Sequence, residues 1–172
     1  MLKPVRTKIA RTGVAGTFAV VASRYNARYV DAMLRAAKAE LRRAGASEVR
    51  IVRVPGAYEI PLVAKRLART APRESGAPYA AIICLGVILR GETVHAAHIG
   101  EAVSRALMEI QLMHEVPVIH AVLLLENEGQ ARVRCLGRKH NRGKEAAQAA
   151  LAMARVVADS NRSAGNASNT DN

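Results

Sequence analysis

The chain has 172 residues, half of them apolar, and a formal net charge of +12 at pH 7. That length suits one domain around one ordinary core. With one Phe and no Trp, the apolar content is mostly Ala, Val, Leu and Ile, which excludes a core organised by aromatic clusters.

The first apolar run, residues 18–22, is followed by polar Ser23-Arg24-Tyr25-Asn26, as expected of a buried strand ending in a loop. Val30, Met33, Leu34, Ala37 and Leu41 recur at helical spacing, and Gly45 supplies a C-terminal cap. Residues 47–54 read as a second strand, broken by Pro55-Gly56. A helix is predicted over 58–69, with Pro61 tolerated in its first turn. After a polar connector at 72–78, residues 79–85 form a continuous apolar run, the pattern of a strand covered on both faces.

A loop containing Gly86, Arg90 and Gly91 leads into a long helical stretch over 95–115, and Pro117 opens a fourth strand at 118–125. A short basic helical segment at 130–135 and a turn at Gly137 precede a last helix over 144–159. The polar tail over 160–172, and much of residues 1–16, are expected to lack packing of their own. Strands alternating with helices predict a single three-layer α/β domain, core about 18–158, with right-handed crossovers in one four-stranded parallel sheet.

The positive charge suggests an anionic partner such as nucleic acid, a phosphorylated substrate or an acidic membrane. Much of it is Arg dispersed over helical segments, which describes a solvated face better than a nucleic-acid footprint. The aromatic residues on which single-strand binders stack bases are also scarce. Cys84 and Cys135 lie far apart without a ligand-type spacing, so neither a disulfide framework nor a metal site is expected. No apolar run approaches about 18 residues, and a cytoplasmic protein without a membrane anchor is the expectation.

Parallel α/β sheets bind ligands beyond the carboxyl ends of their strands, which brings four segments to one rim. They are Arg24-Tyr25-Asn26, Pro55-Gly56-Ala57-Tyr58-Glu59, residues 86–95, and Glu126-Asn127 with the basic stretch beyond. Together they offer a ring to stack on, an amide and a carboxylate for hydroxyls, and a Gly-containing turn that opens a helix. That set fits a polyhydroxylated heterocycle beside a phosphate.

Gly91, Glu92 and Thr93 would present backbone N–H groups and a hydroxyl to the anion, although Thr93 serves equally well as a helix cap. His95 follows in the first turn, where it is either a proton shuttle or an exposed or structurally bonded histidine. His98 lies three residues further on, without the spacing of a zinc-binding helix. Of the basic run Arg132, Arg134, Arg138, Lys139, Arg142 and Lys144, a guanidinium is a natural phosphate ligand and most of the rest read as surface charge. Glu59 at a helix start equally favours the dipole, and Tyr25 equally packs a loop.

These motifs, in this order and together with Gly86-Val87-Ile88-Leu89-Arg90-Gly91-Glu92-Thr93-Val94-His95 and Pro117-Val118-Ile119, closely resemble the lumazine synthase family over roughly residues 18–158. The resemblance implies a flavodoxin-like domain that assembles into pentamers, an active site between neighbouring subunits, and an N-terminal segment pairing with a neighbour. It implies condensation of 5-amino-6-(D-ribitylamino)uracil with 3,4-dihydroxy-2-butanone 4-phosphate to 6,7-dimethyl-8-ribityllumazine, without cofactor or metal.

By the same resemblance Tyr25 stacks on the pyrimidine, and Asn26, Ala57, Tyr58 and Glu59 line the ribityl side. Ile88 and Leu89 meet the heterocycle, and Gly91, Glu92 and Thr93 form the phosphate loop. His95 is the proton-transfer histidine and Arg134, from the adjacent subunit, the phosphate-binding arginine. Two features depart from the family. His120 stands where a Phe is usual beside the ligand, and residues 135–143 are a divergent turn in which Arg138 and Arg142 stand in for lysines. A closed sixty-subunit shell is permitted but not fixed by the sequence. Besides an active enzyme, the readings to be separated are a flavin- or lumazine-binding shell with little catalysis, and a nucleic-acid-associated assembly.

Overall fold

A computed structural model describes residues 16–71, 76–137 and 140–167. The strands are β1 (Thr17–Ser23), β2 (Glu48–Val54), β3 (Ala81–Leu89) and β4 (Val118–Leu125). They form one parallel sheet in the order β2-β1-β3-β4. Among the described residues five α-helices connect and cover them: α1 (Ala27–Arg43), α2 (Ile60–Ala68), α3 (His95–His114), the single turn α4 (Glu128–Ala131) and α5 (Arg142–Ala167).

β1 and almost all of β3 are buried, as their unbroken apolar runs require. Alternate side chains of these two strands feed two separate cores. Phe18, Val20, Ala22, Ile83, Leu85 and Val87 pack with α1 and α5 on one face. Ala19, Val21, Ile82, Cys84 and Ile88 pack with α2 and α3 on the other. The result is the predicted three-layer, flavodoxin-like arrangement.

The strands end at different heights. The β1–β3 ladder stops at Ala22↔Leu85, whereas β3 continues through Gly86, Val87 and Ile88 to Leu89 paired with β4 alone. The last four residues of β3 therefore overhang β1, and one edge of that overhang has no strand beside it.

Helix ends follow local chemistry. α1 stops where Gly45 takes a left-handed conformation (φ 83°), with Arg42 and Arg43 in its last turn favouring the carbonyl end of the dipole. On α2 Pro61 occupies the first turn, where its missing N–H costs nothing.

Three elements differ from the sequence expectation. β3 runs to Leu89 rather than ending at Leu85, because β4 offers partners all the way to Leu125. The basic segment divides into α4, capped by Asn127 whose side chain accepts from the Gln130 N–H at 3.0 Å, and a π-helical turn, Arg132–Leu136. α5 continues past Asp159 to Ala167. The polar residues there satisfy themselves locally: the Ser160 and Ser163 hydroxyls donate to the Val156 and Asp159 carbonyls, and Arg162 pairs with Asp159. Residues 161–163 are nonetheless exposed, so this extension adds helix without adding core. The predicted N-terminal pairing segment, most of the 72–78 connector, the tail beyond 167, and Arg138 and Lys139 lie outside the described residues.

Among the described residues no helix is long and apolar enough to cross a membrane, and no group of three or more His, Cys, Asp or Glu could hold a metal ion.

Candidate active site

A cleft of about 660 Å³ opens at the carboxyl ends of β1, β2 and β3, on the face covered by α2 and α3. This is the topological switch point of the sheet, where the connections from β1 and β3 leave toward opposite faces. Its wall is assembled from two loops, the end of β3 and one face of α3.

The first loop supplies Tyr25 and Asn26. Asn26 sits in the left-handed region (φ 55°), which Asn tolerates better than most residues. Its side-chain amide donates to the Val87 carbonyl at 2.8 Å, using the unpaired edge of the β3 overhang. Tyr25 is exposed and is held through its backbone, whose N–H donates to the Pro55 carbonyl at 3.0 Å. The ring lies over Gly56. A Cβ built at that glycine would come within 3.2 Å of the Tyr25 ring, so the absence of a side chain is what lets the ring approach.

The second loop supplies Gly56, Ala57, Tyr58 and Glu59. Glu59 reaches back so that its Oε2 accepts from the Gly56 N–H at 2.8 Å, closing the turn ahead of α2. The end of β3 supplies Val87 and Ile88. The Ile88 side chain packs on the cleft side of the sheet, while that of Leu89 packs against the opposite core, so only the backbone of Leu89 faces this rim. Beyond them Arg90 extends the ladder through its N–H to the Leu125 carbonyl (2.8 Å) and binds Glu126 with its guanidinium at 3.0 and 3.1 Å.

Gly91, Glu92 and Thr93 then form an exposed turn into α3. Val94, not Thr93, occupies the cap position, and no side chain caps it. The first N–H groups of a 20-residue helix are thereby left for another acceptor. From this helix His95, His98, Ile99 and Ala102 line the cleft. Ile99 and Ala102 were not singled out in the sequence. Their positions four and seven residues after His95 are the signal that would have found them.

Three other sequence candidates, His120, Arg134 and Arg142, do not line this wall. His120 is exposed on β4, its Nε2 2.8 Å from Ser104 Oγ. Since that hydroxyl donates to the Gly100 carbonyl at 2.7 Å, the imidazole N–H must be the donor to Ser104. Arg134 and Arg142 flank one buried thiol across the chain's other face. Burial pushes the Cys135 pKa up to about 11, against the opposing charges of Arg134 and Arg142. Asn141 joins their two elements, donating to the Cys135 carbonyl at 2.5 Å and accepting from the Gly143 and Lys144 N–H groups at 2.9 and 3.3 Å. Arg142 also pairs with Glu145 at 2.6 Å. Arg138 is outside the described residues.

An open doubly wound sheet with a mixed apolar and polar cleft at its switch point, facing a helix start that bears a histidine, is a flavodoxin-like domain with a cleft for a small molecule. Residues 15–158 match the family described as 6,7-dimethyl-8-ribityllumazine synthase. A 6,7-dimethyl-8-ribityllumazine synthase from Stenotrophomonas maltophilia (strain R551-3) is 40% identical over 149 residues, 86% of this chain and 92% of its own length. Another from Xanthomonas campestris pv. campestris (strain B100) is 40% identical over 142 residues, 81% and 88% of the two chains. The chain belongs to the 6,7-dimethyl-8-ribityllumazine synthase family, whose members are transferases.

Proposed function

We propose that this chain condenses 5-amino-6-(D-ribitylamino)uracil with 3,4-dihydroxy-2-butanone 4-phosphate to give 6,7-dimethyl-8-ribityllumazine, phosphate and water, a step of riboflavin biosynthesis. The observation that carries the proposal is the convergence of Tyr25, Asn26, Ala57, Tyr58, Glu59, Ile88 and His95 on one cleft in a chain of this family.

The chemistry is two condensations and an elimination, with no net redox change and no need for an electron carrier. Holding the two substrates together is the main contribution, because a fixed near-attack pair avoids the entropy of a bimolecular encounter. Tyr25 gives the heterocycle a face to stack on. Tyr58 and Glu59 address the ribityl hydroxyls from the α2 side. The turn at Gly91, Glu92 and Thr93 with the start of α3 receives the phosphate, Glu92 contributing backbone only. His95, one turn from that anion, moves protons during imine formation and elimination.

Arg134, with Arg142, is assigned to the phosphate of a neighbouring subunit's cleft, and His120 to the border of the same shared site. The support is that these side chains lie apart from the cleft of their own chain. A homopentamer satisfies that requirement, and the exposed apolar residues Leu62, Met108, Leu112 and Met113 suit an α2/α3 contact between copies. A sixty-subunit shell and a cytoplasmic setting belong to the same reading.

The test is to mix the purified protein with both substrates and follow fluorescent lumazine above the uncatalysed background. His95→Ala and Arg134→Ala should each lower the rate by about a hundredfold. Unchanged rates in both variants would remove the assigned roles even with the fold intact.

A further inference from the structure

Four imidazoles lie on or beside α3; His114, in its last turn, does not line the cleft, and the surroundings of the other three separate them. His120 is tied to Ser104. His95 and His98 both line the cleft, both are exposed, and neither ring has a hydrogen-bond partner among the described residues. A histidine kept for structure is normally bonded or packed into a core. His98 is neither, and its hydrogen-bonding capacity is spent on nothing among the described residues.

Position on the helix sets its reach. Three residues at 1.5 Å rise place His98 roughly 4.5 Å further along α3 than His95, on the same face and away from the turn that receives the phosphate. It also borders the groove formed with Glu101, Arg105 and Glu109, so it stands at the open side of the cleft. Charged and titratable groups around it are Tyr25, Tyr58 and Glu59 across the cleft, and His95, Glu101 and Arg105 along its own helix. The last two bind each other at 2.9 Å and leave little net charge on that flank.

We propose that His98 is a second catalytic imidazole, serving dehydration at the amine-bearing end of the substrate pair while His95 serves amine addition and the phosphate end; this rests on the condensation proposed above. The step assigned to it is dehydration of the carbinolamine formed when the uracil amine adds to the ketone. The His98 imidazolium gives its proton to the carbinolamine hydroxyl, which leaves as water while the nitrogen lone pair forms the C=N bond. The iminium nitrogen then returns its proton to the neutral imidazole. No atom or electron is left over, and the imidazolium is restored for the next turnover.

The test uses the full-length protein and compares wild type, His98→Gln, His98→Ala and His95→Gln. Because His98 is exposed, the substitutions should leave the fold intact, which circular dichroism checks. His98→Gln should lower kcat about tenfold or more, with KM for either substrate changed less than about threefold, and remove one ionisation from the pH dependence of kcat. His98→Ala should regain rate when free imidazole is added, a response that a purely structural residue would not give.

Wild-type kcat in His98→Gln, or a raised KM with kcat unchanged, overturns the proposal, as does a slowed His98→Ala that imidazole cannot rescue. Loss of rate in His95→Gln but not in His98→Gln removes His98 alone. Absence of turnover in the wild type removes the condensation reading and this inference with it.

Discussion

The two layers that sandwich the sheet are finished to different degrees. On one side α1 and α5 close over the strands and touch each other directly. α5 contributes Ala146, Ala147, Ala150, Leu151 and Ala154 to that core, and small residues are what let two helix backbones come close. At the tightest point a Cβ on Gly143 would overlap the Met33 carbonyl. On the other side α2 is nine residues long, and α3 buries only Ala96, Val103, Leu107 and Ile110 of its twenty. That layer leaves Leu62, Met108, Leu112 and Met113 each more than half exposed, and it holds the cleft. Stability is concentrated where the chain completes its own packing, and binding chemistry where it does not.

The sharpest way to break this contrast is to add one methyl group to the closed layer. Gly143→Ala should destabilise the fold by about 3 kcal/mol, because the atom it meets is backbone and either α1 or α5 must shift. The midpoint of urea unfolding measures it, and an unchanged midpoint would mean that the contact is not tight. The same substitution on the open layer should behave differently. Gly56→Ala pushes against the Tyr25 ring and the carboxylate end of Glu59, so stability should change little while KM for ribitylaminouracil rises about tenfold, equivalent to ~1.4 kcal/mol of binding. Steady-state kinetics with the phosphorylated substrate saturating would show it.

A smaller effect on the fold is expected from Leu112→Ser with Met113→Ser. Monomer stability should stay within about 0.5 kcal/mol while sedimentation shows a smaller assembly; an unaltered assembly would dissociate these residues from the contact proposed for them.

The least effect concerns Glu40, buried between the two helices of the closed layer. Burial raises its pKa, but hydrogen bonds from Arg43 and Gln148 and the charges of Arg43 and Lys144 outweigh that, holding it below its ordinary value of 4.5. A carboxylate whose folded pKa is depressed stabilises the fold above its unfolded pKa and ceases to do so as pH falls through the folded one. Stability should therefore decline as pH drops below 4.5, and Glu40→Gln should flatten that part of the curve in urea titrations at successive pH values.

The strands were legible because β1 and β3 are buried on both faces, and burial leaves an unbroken apolar run in the sequence. Helix ends were less so. Polar residues 160–163 carry no sign of burial, and local serine and ion-pair contacts sustain the helix there without any. The π-helical turn at Arg132–Leu136 could not be told from an ordinary helix, since five residues are too few for its wider spacing to show as a period. Tyr25, Asn26, Glu59 and His95 were recognisable because each stands beside a strand end or helix start. Ile99 and Ala102 were hidden among ordinary apolar helix positions. Arg134, Arg142 and His120 do not line the cleft of their own chain, a placement that no periodicity in the sequence encodes.

The overhang of β3 past β1 makes the depth of the cleft a quantity that can be counted in residues. Each residue by which the first strand grew would pair with one more residue of the third and raise the floor by roughly 3.3 Å. Two or three such insertions would fill the recess with main chain and displace the Asn26 amide from the Val87 carbonyl. The depth of this recess is thus set by where one ladder ends, and inserting residues after Ser23 would test that dependence.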